Sequence, residues 1–381
     1  MTMRGLLRVA VCAVALSFVA VPGTAFAATS APSQSGSVFK VVANNLNNPR
    51  KIFVGRGGVL YVTEAGVGGN GPCATDPASG SQSCIGLSGS VTRISKGTQK
   101  RVLTGLPSVA GSDGTGSTGP ADVRVTKGTY QVLLQDTNID SHGGNPFGPN
   151  GAVLGDLVTT AAGKAKPKVK ANFAVFEAAH NPDNGAGPGP PTNPAIDSDP
   201  YAFTPYRRGF AVADAAGNDL LWVNSHGTIS VLAVFPLASP PGAATAVQSV
   251  PTSVAVGPDG VLYVGELTGF PFTVGTARIW RVVPGHKPTL FASGFTNISA
   301  LAFSGKNLLV LEIDSQGLLN SSAPGALYSV TPKGTRTLLA STGLVTPTGL
   351  AVSHGSIYIS NYGTFPGSGP GPHGQVVRIP A

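Results

Sequence analysis

The sequence predicts an all-β fold, a six-bladed β-propeller of four-stranded blades whose ring is closed by the N-terminal strand. Three observations predict it. A strand–turn–strand unit recurs six times, its last four copies about 50 residues apart and the earlier ones separated further by insertions, close to the period of about 40 to 50 residues that distinguishes propellers from sandwiches. Glycine (52 residues) and proline (32) make up more than a fifth of the chain while only 11% of residues are charged, a composition suited to many short strands joined by tight turns. The last copy stops after its third strand, and the start of the mature chain supplies an unpaired strand to complete it.

The two clearest copies are Pro251-Thr-Ser-Val-Ala-Val-Gly-Pro-Asp-Gly-Val-Leu-Tyr-Val-Gly-Glu266 and Pro347-Thr-Gly-Leu-Ala-Val-Ser-His-Gly-Ser-Ile-Tyr-Ile-Ser-Asn361. Each holds an apolar strand, a turn, and a second strand rich in Tyr, Val and Ile. Further copies span 49–64, 200–214 and 297–312, and a weaker one covers 120–135. Third strands follow at Gly89–Ile94, Asp219–Val223, Ala277–Val282, Gly325–Val330 and Gly374–Ile379; fourth strands follow at Lys100–Leu103, Ile229–Ala233, Pro288–Phe291 and Thr335–Ala340. Four antiparallel strands per unit make a propeller blade. Val38–Ala43 resembles a fourth strand without its blade, so it is expected to pair with Gly374–Ile379 and leave no long free edge.

The long insertions, Gly66–Leu87, Asp136–Ala152, Ala171–Asp199 and the shorter Thr268–Thr276, fall between second and third strands or between blades. In a propeller those connections share one rim, the top, where function tends to sit. Within one insertion, Phe173–His180 reads as a short helix ended by Asn181-Pro182. Lys164, Lys166, Lys168 and Lys170 alternate at period two, which predicts one face of a protective edge strand.

The first residues predict export. Arg4 and Arg8 flank a basic start, Val9–Val21 is apolar, and Ala25-Phe26-Ala27 is an A-x-A cleavage site, so 1–27 reads as a signal peptide and 28–381 as a single propeller domain. The apolar run is shorter than the roughly 20 residues a spanning helix needs, and no stable membrane anchor is expected. Cleavage removes Cys12 and leaves Cys73 and Cys84 in a Gly/Pro/Ser-rich loop of an exported chain, which predicts a disulfide. The net charge of +8 falls to +6 without Arg4 and Arg8; no basic stripe suggests a nucleic-acid partner. The chain is expected to act as a monomer.

Pro251–Glu266, continued by Leu267-Thr-Gly-Phe-Pro-Phe272, Arg278-Ile-Trp-Arg-Val-Val-Pro284 and Gly294-Phe-Thr-Asn-Ile298, resembles the ScyD/ScyE family. Val212–Val223 is similar to the NHL repeat, a six-bladed propeller unit. The resemblance covers essentially all of the mature chain and implies an exported propeller; it implies no particular reaction.

One polar position recurs near the end of the second strand: Glu64, Asp214, Glu266, Glu312 and Asn361, with Leu133 breaking the pattern in the second blade. Six-fold geometry predicts a polar ring near the top. Such residues commonly accept backbone N–H groups and fix register. Convergent carboxylates also suit a cation, and calcium in the central channel is the cofactor this ring would take. Six-bladed lactonases hold a divalent ion with residues from the tops of first strands; the comparable positions here are Asn48, Asp122, Asp199, Thr252, Asn297 and Thr348, a mixed set. Glu64, Asp199, Asn297 and Glu312 are the candidate metal ligands. Among the scattered histidines, His142 and His180 lie in top loops, and no Gly-x-Ser-x-Gly context marks a nucleophile, so no catalytic residue is assigned. Two functions follow: a secreted binding or scaffolding propeller that recognises a small molecule, glycan or protein at its top face, or a calcium-dependent lactonase or esterase acting at the channel mouth.

Overall fold

The computed structural model describes residues 39–75, 80–136, 145–185, 198–240, 245–320, 324–367 and 373–381. The signal peptide expected over 1–27 and the candidate His142 lie outside the described residues. Six blades of four antiparallel strands form the ring; five are four-stranded sheets, and the sheet of the first blade is extended to six strands. In chain order, blade 1 uses Pro49–Val54, Leu60–Glu64, Gln82–Ser95 and Thr98–Ala110, and blade 2 uses Pro120–Thr126, Thr129–Leu134, Asp156–Ala161 and Lys168–Asn172. Blade 3 uses Pro200–Tyr206, Gly209–Asp214, Asp219–Asn224 and Ile229–Val234, and blade 4 uses Pro251–Val256, Leu262–Glu266, Ala277–Val282 and Thr289–Phe295. Blade 5 uses Ile298–Ser304, Asn307–Glu312, Ala326–Val330 and Arg336–Ala340. Blade 6 uses Gly349–Ser353, Ser356–Asn361 and Gly374–Pro380, with Lys40–Leu46 from the chain start paired antiparallel to Gly374–Pro380. Ring closure by the N-terminal strand is thus as the sequence predicts.

The six first strands touch one another in order around the axis. Strand alternation sends one set of side chains toward each neighbouring blade, and successive apolar layers fill the gaps, such as Ala213, Leu220 and Val264 between blades 3 and 4. Hydroxyls near the top of the blades tie four of the six junctions: Thr252 Oγ1 donates to Ile298 O, Ser299 Oγ to Pro347 O (2.8 Å), Thr348 Oγ1 to Pro49 O (2.7 Å) and, from the second strand of blade 1, Thr63 Oγ1 to Ala121 O (2.7 Å). Between blades 2 and 3, Phe203 N–H donates to Asp122 Oδ2 instead (3.0 Å). Gly349 permits close approach of blades 6 and 1, because a Cβ there would lie 2.2 Å from Arg50 O.

Two expectations need correction. The four lysines do not share a strand: the chain leaves the sheet at Ala165–Pro167, so Lys164 pairs in parallel with blade 1 while Lys168 and Lys170 belong to blade 2. Pro167 removes a ladder donor where one continuous strand would need it. The third and fourth strands of blade 1 run far past the predicted Gly89–Ile94 and Lys100–Leu103, since Gln82–Ser88 and Thr104–Ala110 continue as a hairpin above the blade. Cys73–Thr75 adds a third strand to this arm, and the predicted Cys73–Cys84 disulfide joins directly opposed residues. The helix forms over Phe173–His180, capped by Asn172, whose side chain accepts from Val175 N–H, and stopped by Asn181 in the left-handed region (φ 38°). Among the described residues no helix is long and apolar enough to cross a membrane.

Candidate functional site

The top face gathers the insertions around the mouth of the channel, so the site is built from the inner strands upward. A repeated backbone bond sets the register: the residue after each second strand donates to the carbonyl just before the first strand, as in Ala65 to Asn48, Gln135 to Gly119, Ala215 to Asp199, Leu267 to Val250 and Ile313 to Asn297. In this register Asn48, Asp199 and Asn297 are equivalent. Thr252 stands two residues later and Asp122 three, so the mixed set read from sequence spans several levels of the channel. The same register places Leu134, opposite Pro120, at the ring position of blade 2, rather than Leu133.

Each ring residue is buried and accepts a donor from the segment leading into its own blade. Asn47 N–H reaches Glu64 (2.7 Å), Asp199 N–H reaches Asp214 (2.7 Å), Ser249 Oγ reaches Glu266 (2.8 Å), Thr296 N–H reaches Glu312 (2.7 Å) and Val345 N–H reaches Asn361 (2.7 Å). Cations complete two of them: Arg101 pairs with Glu64 at 2.6 Å, and Arg278 pairs with Glu266 at 2.7 Å beside the Trp280 indole N–H at 2.6 Å. Burial pushes Glu312 up to about 7, against the Thr296 N–H and the Arg336 charge. The ring therefore has the bonding of a register device.

The four candidate metal ligands are not brought together. Asn297 spends its amide on Leu267 O (2.7 Å) and its carbonyl on Leu318 N–H (3.2 Å), and Asp199 accepts Asp136 N–H (2.9 Å). Asn48 donates its amide to the carbonyls of Gly66 and Gly114, both at 2.8 Å, while its Oδ1 is buried without a partner among the described residues. Among the described residues no three His, Cys, Asp or Glu side chains gather closely enough to hold a metal ion.

Two cations of the chain itself lie across the axis. Lys51, from blade 1, donates to Ser299 O of blade 5 and Thr348 O of blade 6 (3.3 Å), and its ammonium sits 4.9 Å from the Tyr201 ring centre of blade 3. Burial pulls its pKa down to about 7, opposed by Asp122 and reinforced by Arg50 and Arg124. Arg50 lies above it, donating to the carbonyls of Asn48, Gly363 and Ser117 and to Gln135 Oε1. A divalent ion on the axis would face these two charges, so the residues present do not fit calcium there. Among the described residues the cavity at the mouth is about 30 Å³, room for about one water.

That mouth is divided. One side is polar, with Arg50, Ser117, Gln135, Asp199 and Thr364. The other is apolar, with Val250, Leu267 and Ile313 backed by Leu318 and Phe272. His180 stacks on Phe176 (ring centres 4.3 Å apart) and bonds its carbonyl, away from the mouth. Sequence reading missed Arg50 and Lys51, although a signal was present: at the two places where blade 4 reads Thr252-Ser253, blade 1 reads Arg-Lys.

No protein-family model matches the chain, and no curated protein matches it. Solved structures similar to it include an oxidoreductase of the glucose dehydrogenase type from Thermus thermophilus, at 14% identity and TM-score 0.49, covering 90% of this chain and 99% of that one. The PQQ-bound aldose sugar dehydrogenase of Streptomyces coelicolor matches at 10% identity and TM-score 0.47, covering 91% and 99%. Virginiamycin B lyase of Staphylococcus aureus matches at 13% identity and TM-score 0.45, covering 90% and 99%. At such identities no residue role passes from these proteins to this one.

Proposed function

We propose that this chain is an exported, monomeric binding propeller of the ScyD/ScyE type, whose divided channel mouth and surrounding top-face arm recognise a small molecule, glycan or protein partner. The observation that carries this reading is the closed axis: Arg50 and Lys51 leave about 30 Å³ at the mouth, too little to enclose a substrate. A partner must then lie on the rim, placing polar groups toward Arg50, Gln135 and Asp199 and apolar ones toward Val250, Leu267 and Ile313. The disulfide-linked arm over Cys73–Thr75 and Gln82–Ser88 extends that rim.

The calcium-dependent lactonase or esterase reading requires Glu64, Asp199, Asn297 and Glu312 to converge on an ion, and the bonding of these four supplies no support for it. The test is a screen of the purified mature chain against immobilised glycan and small-molecule panels, with lactone and ester probes assayed in parallel. The expected result is saturable binding that disappears when 67–87 is replaced by a short Gly-Ser link, with no probe turnover. Probe turnover lost on chelation, with binding indifferent to the arm, would overturn the reading.

A further inference from the structure

The opposite face carries a site that does not depend on the mouth. Three residues before the ring position, blades 1, 4 and 6 each place a tyrosine against an arginine of the third strand: Tyr61 with Arg93, Tyr263 with Arg281 and Tyr358 with Arg378. These tyrosines lean toward the next blade and fill the lower part of the gap, Tyr61 meeting Tyr130 edge-on at 6.0 Å. In blade 2 the corresponding pair is Gln131 and Thr159. Both side chains are short, and a cleft of about 400 Å³ opens between blades 2 and 3.

Its walls have a definite chemistry. Phe53, Phe210 and Pro205 supply flat apolar surface, and Arg124, Lys170 and Arg208 supply three cations with no carboxylate among the lining residues. Arg124 is held rigid, bonded to Asp122 (2.6 Å) and Phe203 O (2.5 Å) with its guanidinium against the Phe53 and Phe203 rings. Lys170 donates to Ser225 O (2.9 Å), and Arg208 makes no ion pair among the described residues. Gln131 Oε1 is buried without a partner. Such an atom is open to a donor from a water or a bound ligand. The cleft thus combines the place of an aromatic ring, a wall of positive charge and an unfilled acceptor.

We propose that this cleft binds a small aromatic carboxylate bearing a hydroxyl, its ring taking the place the tyrosine fills in other blades, its carboxylate facing Arg208 and Lys170, and its hydroxyl donating to Gln131. Arginine recognises a carboxylate through paired N–H groups, and the rings and Pro205 favour a planar body over a compact inorganic anion. Calorimetric titration of the mature chain with 4-hydroxybenzoate tests this, with p-cresol as the uncharged ring and sulfate as the ringless anion. The expected result is 1:1 binding, weakened at least 10-fold by Arg208→Ala and abolished in the double variant Gln131→Tyr/Thr159→Arg, which rebuilds the pair of blades 1, 4 and 6. Cresol and sulfate should each bind at least 10-fold more weakly. Arg208 is exposed, so its variant keeps the test decisive should the double variant fail to fold. Absence of saturable binding, binding indifferent to Arg208→Ala, or sulfate binding as tight as the carboxylate would each overturn the proposal. Replacing 67–87 should leave this binding unchanged, so the result stands or falls apart from the mouth.

Discussion

Glu266 and Asp219 are equally inaccessible, both at 0% exposure, yet their surroundings differ completely. Glu266 meets Arg278 through both nitrogens, the Trp280 indole and the Ser249 hydroxyl. Asp219 has neither oxygen bonded, and burial together with Asp214, Glu177 and Asp183 raises its pKa well above the ordinary range. Asp156, at the matching start of the third strand in blade 2, is also unbonded, and burial pushes it up to about 7. Burial pushes both carboxylates up; at Glu266 the Arg278, Trp280 and Ser249 donors oppose it, and at Asp219 no donor does. The ring position recurs with donors from its own hairpin and entry segment, whereas the third-strand position has none.

The largest effect expected from this contrast is at Glu266. Glu266→Ala leaves Arg278 without its carboxylate and should cost about 3–5 kcal/mol in urea unfolding, the range for breaking a buried pair from one side. Asp219→Asn should act in the opposite direction, raising stability by about 1–3 kcal/mol at pH 8 because it removes an unbonded ionisable group, with the gain shrinking toward pH 4. Equal losses in the two variants would break the comparison.

The pH profile sharpens it. Asp156 and Glu312 are raised to about 7 and Asp314 to about 6. Between those values and the ordinary carboxylate range near 4, the folded chain binds more protons than the unfolded one, so these groups make stability grow as pH falls from 7 to about 4. Lys51, lowered to about 7, has the reverse slope: the unfolded chain binds the extra proton up to a pH of about 10, and stability rises with pH over that span. Their sum is a shallow minimum near neutrality in urea midpoints measured from pH 4 to 10. Lys51→Met should flatten the upper limb alone. A smaller effect is expected at the disulfide: Cys73→Ser with Cys84→Ser should change melting of the ring by under about 1 kcal/mol, since the arm opens separately, while speeding proteolysis at 71–75.

The propeller was legible because its repeat is written in strand periodicity, and the orphan strand before Asn44 announced ring closure. The candidate site was less so. The ring Glu64, Asp214, Glu266, Glu312 and Asn361 stood out as a recurrence, but which donors would meet it depended on Arg101 and Arg278, one on a fourth strand and one on a third. Arg50 and Lys51 are the cationic residues where the other copies carry Ala121-Asp122, Tyr201-Ala202, Thr252-Ser253, Ser299-Ala300 and Thr348-Gly349; that Lys51 reaches blades 5 and 6 follows only from the closed circle. Thr252 and Asp122 are offset from Asn48 because they stand one and two residues after the prolines that open their copies, Pro251 and Pro120, whereas Asn48 stands one residue before Pro49; aligning the copies on those prolines marks the offset.

Arg50 and Lys51 lie across the axis where a metal would otherwise sit. Calorimetric titration of chelator-treated protein with calcium, followed by elemental analysis per chain, tests this most directly. The predicted result is no stoichiometric ion and no saturable heat. One ion per chain, lost in Asp199→Asn or Glu312→Gln, would contradict it.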